Sequence, residues 1–324
     1  MPTSLGSELT IAVAVLTYRR PQELREGLPL ILEQLVRLGA DLRRPVSGRI
    51  VVVDNDPAAS AEPVVAAIRE AAPSPGLLEY VVELTAGIAA ARNRALDEGG
   101  EAQLLVYIDD DERPRENWLC ELVRTWQATG ATAVMGRVIS EFDGELDPWV
   151  AAGDFFRRRS MPTGTEITVA AAGNLLLDLQ QVRELGVRFD HRLGLGAGED
   201  SLFSRQLVKR GGRMVWCEES AATDCVPPAR MTRRWVLARA WSHGNTESVV
   251  DIYLAPSAGR RMLLRATAII RGLIRVVGGA GRYLFGVITG SPRHQARGLR
   301  TAYRGAGIAA GGAGVAYQEY ARQS

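Results

Sequence analysis

Apolar residues in the first half of the chain fall into short runs separated by amphipathic stretches. Ile11–Leu16 (IAVAVL) is uninterrupted and rich in β-branched residues, which predicts a buried strand. Pro21 suits the first turn of a helix, and Glu23–Leu38 has helical apolar spacing. The alternation continues with strands at Ile50–Val53, Leu77–Val82, Leu104–Ile108 and Ala133–Ile139. Helices are predicted at Pro63–Ala71, Ile88–Leu96 and Trp118–Ala128. Strands alternating with helices of this length indicate an α/β fold with a doubly wound, mainly parallel sheet. Further on, Glu141–Thr165 lacks clear periodicity and reads as an irregular loop over the site. Then come the apolar run Val169–Leu177, a helix near Gln180–Leu185, glycine-rich Gly194–Gly198 and a helix from about Asp200 to Arg210. An edge strand at Arg213–Cys217 and a helix at Met231–His243 complete this part.

In doubly wound sheets, ligands bind outside the carboxyl ends of the strands. Three polar clusters stand at such ends: Thr17-Tyr18-Arg19, Asp54-Asn55-Asp56 and Asp109-Asp110-Asp111. Successive carboxylates repel one another, and a hard divalent cation with oxygen ligands relieves that repulsion while also binding phosphate. The plainer alternative is a solvated acidic loop or helix start. Gly87–Leu96 (GIAAARNRAL) offers a glycine and free helix N–H groups to an anion, or it is only an alanine-rich packing helix. In Gly196-Ala197-Gly198-Glu199-Asp200, one carboxylate can cap the following helix and the other can act as a base; alternatively Asp200 is an N-cap and nothing more.

Composition narrows the class without naming a chemistry. The 324 residues are 46% hydrophobic and 23% charged, as in ordinary globular proteins. Three scattered cysteines (Cys120, Cys217, Cys225) with no CxxC argue against a disulfide framework or a thiolate zinc site, and suit a reducing cytosol. Met1–Thr10 has neither a basic region nor a long apolar run, so no signal peptide is expected. The net charge of +2 conceals a split. Residues 252–324 hold eleven arginines and one acidic residue, Glu319, a net of +10 that leaves the rest at −8.

Six segments occur in one order that resembles the family 2 glycosyltransferases, inverting enzymes of the GT-A fold. They are VLTYRRP (15–21), VVVDND (51–56), GIAAARNRAL (87–96), YIDDDERP (107–114), AGNLLL (172–177) and FDHRLGLGAGEDSLFSRQL (189–207). The resemblance covers roughly Thr10 to Asn245 and implies roles for matching residues. Thr17, Asp54, Arg92, Asp109 and Asp110 would face the nucleotide-sugar. Asp109 and Asp111 would hold Mn²⁺ or Mg²⁺ as the outer aspartates of the DxD element. Asp200 would be the catalytic base, with Gly173, Asn174 and Glu199 on the acceptor side. A nucleoside diphosphate sugar, UDP-linked by the same resemblance, would be the donor. A saccharide or lipid-linked hydroxyl in bacterial polysaccharide, glycolipid or glycoconjugate synthesis would be the acceptor. Two departures stand out. Pro57 follows the DND run where many relatives have an Asp-Asp-Gly-Ser-like turn, and Asp224-Cys225 stand where many have a His before Val-Pro. Asp224 or His243 could supply a further ligand.

The expected organisation is a catalytic domain at 1–250 (nucleotide-binding half about 1–140, acceptor half about 141–250) and a basic helical extension at 251–324. In that extension Arg260, Arg271, Arg275 and Arg282 fall within a ~60° arc of a helix. Arg293–Arg304 adds a second basic helix, and Gly305–Ala316 looks loosely specified. No stretch free of Arg approaches the ~20 apolar residues of a membrane span. An interfacial helix on the anionic inner face of the cell membrane is the functional reading, giving a cytoplasmic, peripheral protein. The alternative is a helix packed on the core or on a partner. Few aromatics accompany the arginines, which argues against nucleic acid. Two other functions fit the class: a sugar-1-phosphate nucleotidyltransferase, and a non-catalytic nucleotide-sugar-binding scaffold at a membrane. The first would be expected to carry a Gly- and Arg-rich loop with a lysine after the first strand; the chain has VLTYRRP there, and Lys209 is its only lysine.

Overall fold

The computed structural model describes residues 8–193 and 198–317. The chain divides into two compact units. The first comprises Met1–Ile139, Arg158–Gly194 and Asp200–Cys225; the second comprises Ser140–Arg157, Leu195–Glu199 and Val226–Ser324.

Strand β1 (Leu9–Thr17) begins the first unit, followed by α1 (Pro21–Leu42), β2 (Val46–Asp54), α2 (Glu62–Ala71), β3 (Leu78–Val82), α3 (Ile88–Glu98) and β4 (Leu104–Asp109). These strands lie parallel in the order β3-β2-β1-β4, as the alternating pattern predicts. The register puts Thr17 opposite Asp54, and Leu16 opposite Asp109, so the polar clusters share one edge of the sheet. β1 serves two layers because its side chains alternate. Leu9, Ile11, Val13 and Val15 pack with Leu24, Leu28 and Ile31 of α1, while Ala12, Ala14 and Leu16 pack with Ala89, Ala91 and Ala95 of α3. Small residues on the second face let α3 come close. Each large aliphatic side chain buried in these layers contributes about 1.5–3 kcal/mol.

The remaining elements are β5 (Glu112–Pro114), α4 (Trp118–Thr129), β6 (Ala133–Phe142), α5 (Pro148–Gly153), β7 (Asn174–Asp178), α6 (Leu179–Leu185), α7 (Glu199–Lys209) and β8 (Met214–Val226). β7 runs antiparallel to β4 and β6, and β5 antiparallel to β8, in an eight-stranded sheet ordered β3-β2-β1-β4-β7-β6-β8-β5. The expected edge strand at 213–217 is therefore longer and internal, with β5 outside it. Its polar second half, Glu218–Asp224, breaks the apolar run on which strand reading relies. The loop expected at 141–165 contains α5, whose start is fixed locally. The Asp147 carboxylate accepts from the N–H groups of Trp149 (2.8 Å) and Val150 (3.2 Å), and Pro148 pre-sets the first turn. Residues 194–197 of the glycine-rich stretch lie outside the described residues.

In the second unit, α8 (Arg233–Tyr253), α9 (Ala258–Ile288) and α10 (Pro292–Ala313) pack together. The expected domain boundary at 250/251 falls inside α8. The stretch from Gly305, expected to be loosely specified, packs closely against its neighbours as far as Gly312. A Cβ on Gly272 would stand 2.6 Å from the Gly305 carbonyl oxygen, and one on Gly279 2.7 Å from that of Gly298. Gly272, Gly279 and Gly286 on α9 and Gly298, Gly305 and Gly312 on α10 all recur every seven residues, which keeps each set along one helix face. Among the described residues, no helix is long and apolar enough to cross a membrane.

Candidate active site

The carboxyl end of β4 passes directly into a turn at Asp110-Asp111, and Glu112 then opens β5. Pairing of β5 with β8 sets Glu112 opposite Asp224, and the Cys225 N–H donates to the Asp111 carbonyl (3.4 Å). The Asp109 N–H donates to the Gly173 carbonyl at 3.2 Å. A Cβ on Gly173 would lie 2.7 Å from Asp109 Oδ2 and 2.9 Å from Glu112 Oε1, so these two carboxylates converge on the bare glycine. Asp200, in the first turn of α7, accepts from the Ser201 N–H (2.6 Å), and its charge acts on Asp109.

Burial raises the Asp109 pKa; the Arg92 guanidinium opposes this, while Asp111, Asp200 and Asp224 push it further up. Glu112 is pushed well up by burial and then by Asp109, Asp111 and Asp224, against the pull of Arg158. Asp109 thus lies in the field of Asp111, Asp200 and Asp224, and Glu112 in that of Asp109, Asp111 and Asp224. Arg158 forms an ion pair with Asp224. Glu112 Oε2 is buried and, among the described residues, makes no hydrogen bond.

Asp110 points the other way. It accepts from Thr17 Oγ1 (2.8 Å) and from Arg20 (3.1 Å), and burial still pushes its pKa up to about 7. The same Arg20 nitrogen reaches Asp111 at 3.2 Å, so one guanidinium spans both carboxylates. Thr17 is buried beneath this pair.

Asp54 is fully buried. It accepts from the N–H groups of Asp56 and Ala61 (both 2.9 Å) and from the Tyr80 hydroxyl (2.8 Å), which folds the chain after β2. Asn55 ties that turn to the start of α3. Its amide donates to the Glu83 and Thr85 carbonyls (2.8 Å each), and its oxygen accepts from the Gly87 N–H (2.9 Å). Gly87 has φ 119°, a conformation that excludes side chains and permits this close approach. Arg92 is buried in α3, 5.5 Å over the Phe189 ring, while Asn93 bonds both the N–H and the carbonyl of Phe189 (3.0 and 2.8 Å).

On β7, the Asn174 side chain is fully buried. It accepts from Trp118 Nε1 (2.9 Å) and donates to the carbonyls of Arg137 (3.0 Å) and Ser220 (3.3 Å), joining β7, β6 and β8. Glu199 is buried at the first position of α7, and His243 is exposed on α8.

Of the residues singled out from sequence, Asp109, Asp111 and Asp200 meet in one electrostatic cluster beside Arg92, with Gly173 beneath the Asp109 carboxylate. Thr17 and Asp110 pair with each other, and Asp54 and Asn174 turn inward. Three charged residues were missed: Glu112, Arg20 and Arg158. Glu112 and Arg20 lie within quoted motifs, but only the turn and the β5–β8 pairing show what they face. Arg158 lies in the segment read as irregular and left no signal in the sequence.

Residues 12–185 match the sequence model of the family described as Glycosyl transferase family 2. The succinoglycan biosynthesis protein ExoM of Rhizobium meliloti (strain 1021) is 33% identical over 238 residues, which is 74% of each chain. The structure of S. aureus TarS 1-349 in complex with UDP-GlcNAc matches at a TM-score of 0.54 and 13% identity, covering 91% of this chain and 92% of that one. GalNAc-T7 with UDP, GalNAc and Mn²⁺ matches at 0.53 and 15% identity, over 77% of this chain and 52% of that longer one. At such identities the two structural likenesses establish the fold, which is GT-A.

Proposed function

Because this chain belongs to glycosyl transferase family 2 and is a glycosyltransferase, we propose that it moves a sugar from a UDP-linked donor to an acceptor hydroxyl with inversion, assisted by a divalent metal. The observation that carries this is the cluster of Asp109, Asp111, Glu112, Asp200 and Asp224 at the carboxyl end of β4, with Arg92 beside it. The ExoM likeness supports a place in polysaccharide synthesis, and the UDP-sugar bound to TarS supports the donor class.

The residues fit a hard divalent cation. All the donors are carboxylate oxygens, they repel one another, and Glu112 Oε2 is buried without a hydrogen-bond partner. Among the described residues, no three His, Cys, Asp or Glu side chains are arranged as a complete ligand set. That suits an ion held by one or two carboxylates, with the donor's phosphates completing its shell. Asp109 and Asp111 would hold it. When bound, Mn²⁺ or Mg²⁺ supplies positive charge to the diphosphate as it leaves.

The chain's own groups do the rest. Arg92, itself buried, places a fixed positive charge beside Asp109. Asp200 takes the proton from the acceptor hydroxyl as that oxygen attacks the anomeric carbon from the face opposite the diphosphate. Gly173 leaves room for the Asp109 and Glu112 carboxylates. Asp54 and Asn174 act as positioning residues: one shapes the turn that receives the base, the other locks β7 to its neighbours. Thr17 and Arg20 orient Asp110 and Asp111.

Measured UDP release from a panel of UDP-sugars, with Mn²⁺ and with chelator, tests the reading. Metal-dependent release that disappears in Asp200→Asn, with nucleotide binding retained, is expected. Full turnover in the Asn variant would end the base assignment.

The reading places the enzyme on a membrane surface. α9 exposes Met262, Ile270, Ile274, Val277 and Ile288, the last at 84%, beside exposed Arg260, Arg261 and Arg265. A helix with an apolar stripe and basic flanks rests in the plane of an anionic leaflet. We place that leaflet on the cytoplasmic side.

A further inference from the structure

The second unit contains a cavity of about 400 Å³ lined by Arg157, Arg282, Arg297, Arg300, Asp154 and Thr301. Four guanidinium groups face one carboxylate there. The four come from three places, the end of the α5 segment, α9 and α10, so tertiary structure assembles the cluster.

Internal contacts satisfy only part of this charge. Arg297 donates to the Gly153 carbonyl (3.3 Å) and stands 3.6 Å from Asp154, which uses the only acid on the wall. Arg300 lies 5.4 Å over the Phe155 ring, a contact that leaves its charge uncancelled. Burial lowers the Arg300 pKa, and repulsion from Arg304 and Arg297 lowers it further. Arg157 and Arg282 add their charges to the same space. Holding guanidiniums this close costs stability unless an anion joins them.

We propose that this cavity binds a phosphate or diphosphate monoester, at a site separate from the carboxylate cluster that takes the donor. Planar guanidinium forks match phosphate oxygens two at a time, and several forks around one space suit an anion with more than one charge. Arg282 also says where such an anion sits. It lies on α9, and over the next two turns that helix exposes Leu284, Phe285, Val287 and Ile288. A phosphoanion on an apolar tail can therefore place its headgroup among the arginines and its chain along those residues. A soluble phosphoanion would use the same arginines without the apolar surface.

The test uses the full chain in chelator, which removes the metal that the carboxylate cluster needs to take a diphosphate, so that pyrophosphate reports on this cavity. Calorimetric titration with inorganic pyrophosphate should show one binding event. Arg157→Gln combined with Arg282→Gln should weaken it by about tenfold or more, with the unfolding midpoint not lowered. Asp154→Asn removes the only opposing charge and should tighten binding. Equal affinity in the double variant, or weaker binding in Asp154→Asn, overturns the proposal. Flotation with phosphatidylcholine vesicles containing phosphatidic acid or phosphatidylglycerol then separates the sources. Preference for phosphatidic acid that is lost in the double variant assigns a lipid phosphate. Pyrophosphate binding without that preference assigns a soluble phosphoanion to the same site.

Discussion

At Gly173, a methyl group would collide with Asp109 Oδ2 and Glu112 Oε1. Gly173→Ala must therefore push at least one carboxylate aside. Since displacements near 1 Å at reacting groups cost about 10²-fold, the expected result is a loss of that order in kcat/KM with little change in the unfolding midpoint. Asp200→Asn keeps the shape and removes the base, so transfer should fall by about 10²–10⁴-fold while UDP binding persists; initial rates and calorimetry check this together. The carboxylates also predict a pH dependence of stability. Burial and mutual repulsion raise Asp109 and Glu112, and burial pushes Asp110 up to about 7. Between the ordinary carboxylate range and that value, the folded protein holds more protons than the unfolded chain. Stability is therefore fully present at the acidic end of the window and is lost as pH rises through it. Thermal unfolding in chelator should show a higher midpoint at about pH 6 than at about pH 8, and Mn²⁺ should reduce the difference by neutralising the same charges.

At the scale of elements, α9 and α10 show two opposite uses of glycine. Gly279 faces α10, where an added Cβ would stand 2.5 Å from the Ala302 nitrogen. Gly278, its neighbour, meets nothing within 4 Å. Gly278→Ala should stabilise the protein by about 0.5–1 kcal/mol, the helix-propensity gain alone. Gly279→Ala gains the same propensity but forces two backbones apart, an overpacking cost of about 1–3 kcal/mol, and should be net destabilising. Urea unfolding of the two variants should move in opposite directions; movement in the same direction would contradict the close helix contact. This is also where sequence reading went astray. Gly305–Ala316 looks loose when glycine is scored by its intrinsic freedom, and its stretch to Gly312 proves tight because helices bearing only hydrogen at the contact can approach most closely. The strand β8 was legible over its apolar start, Met214–Cys217, and hidden beyond it, because Glu218, Glu219, Ser220, Thr223 and Asp224 break the apolar run.

For the whole molecule, charge separation is the feature plainest in the sequence: a net −8 before residue 252 and +10 from there on. It predicts that an anionic surface meets the protein through the second unit. Removing residues 252–324 discards α9 and α10, so substitution is the cleaner test. Ile274→Glu with Val277→Glu, both on the exposed side of α9, should abolish flotation with phosphatidylglycerol vesicles and leave UDP binding intact. The sequence by itself determined the parallel core and the family. Alternating β-branched runs and amphipathic helices are local patterns, and three of the six ordered motifs sit at the carboxyl ends of strands that such patterns locate. Tertiary structure alone decided which carboxylates meet. Glu112 faces Asp224 through antiparallel pairing of strands more than a hundred positions apart, and Arg158 joins Asp224 from a segment of weak periodicity. It also decided that Asp54 and Asn174 face inward, because burial depends on neighbours the local sequence does not specify. The arginine cavity belongs with these, because three separate segments have to come together to make it.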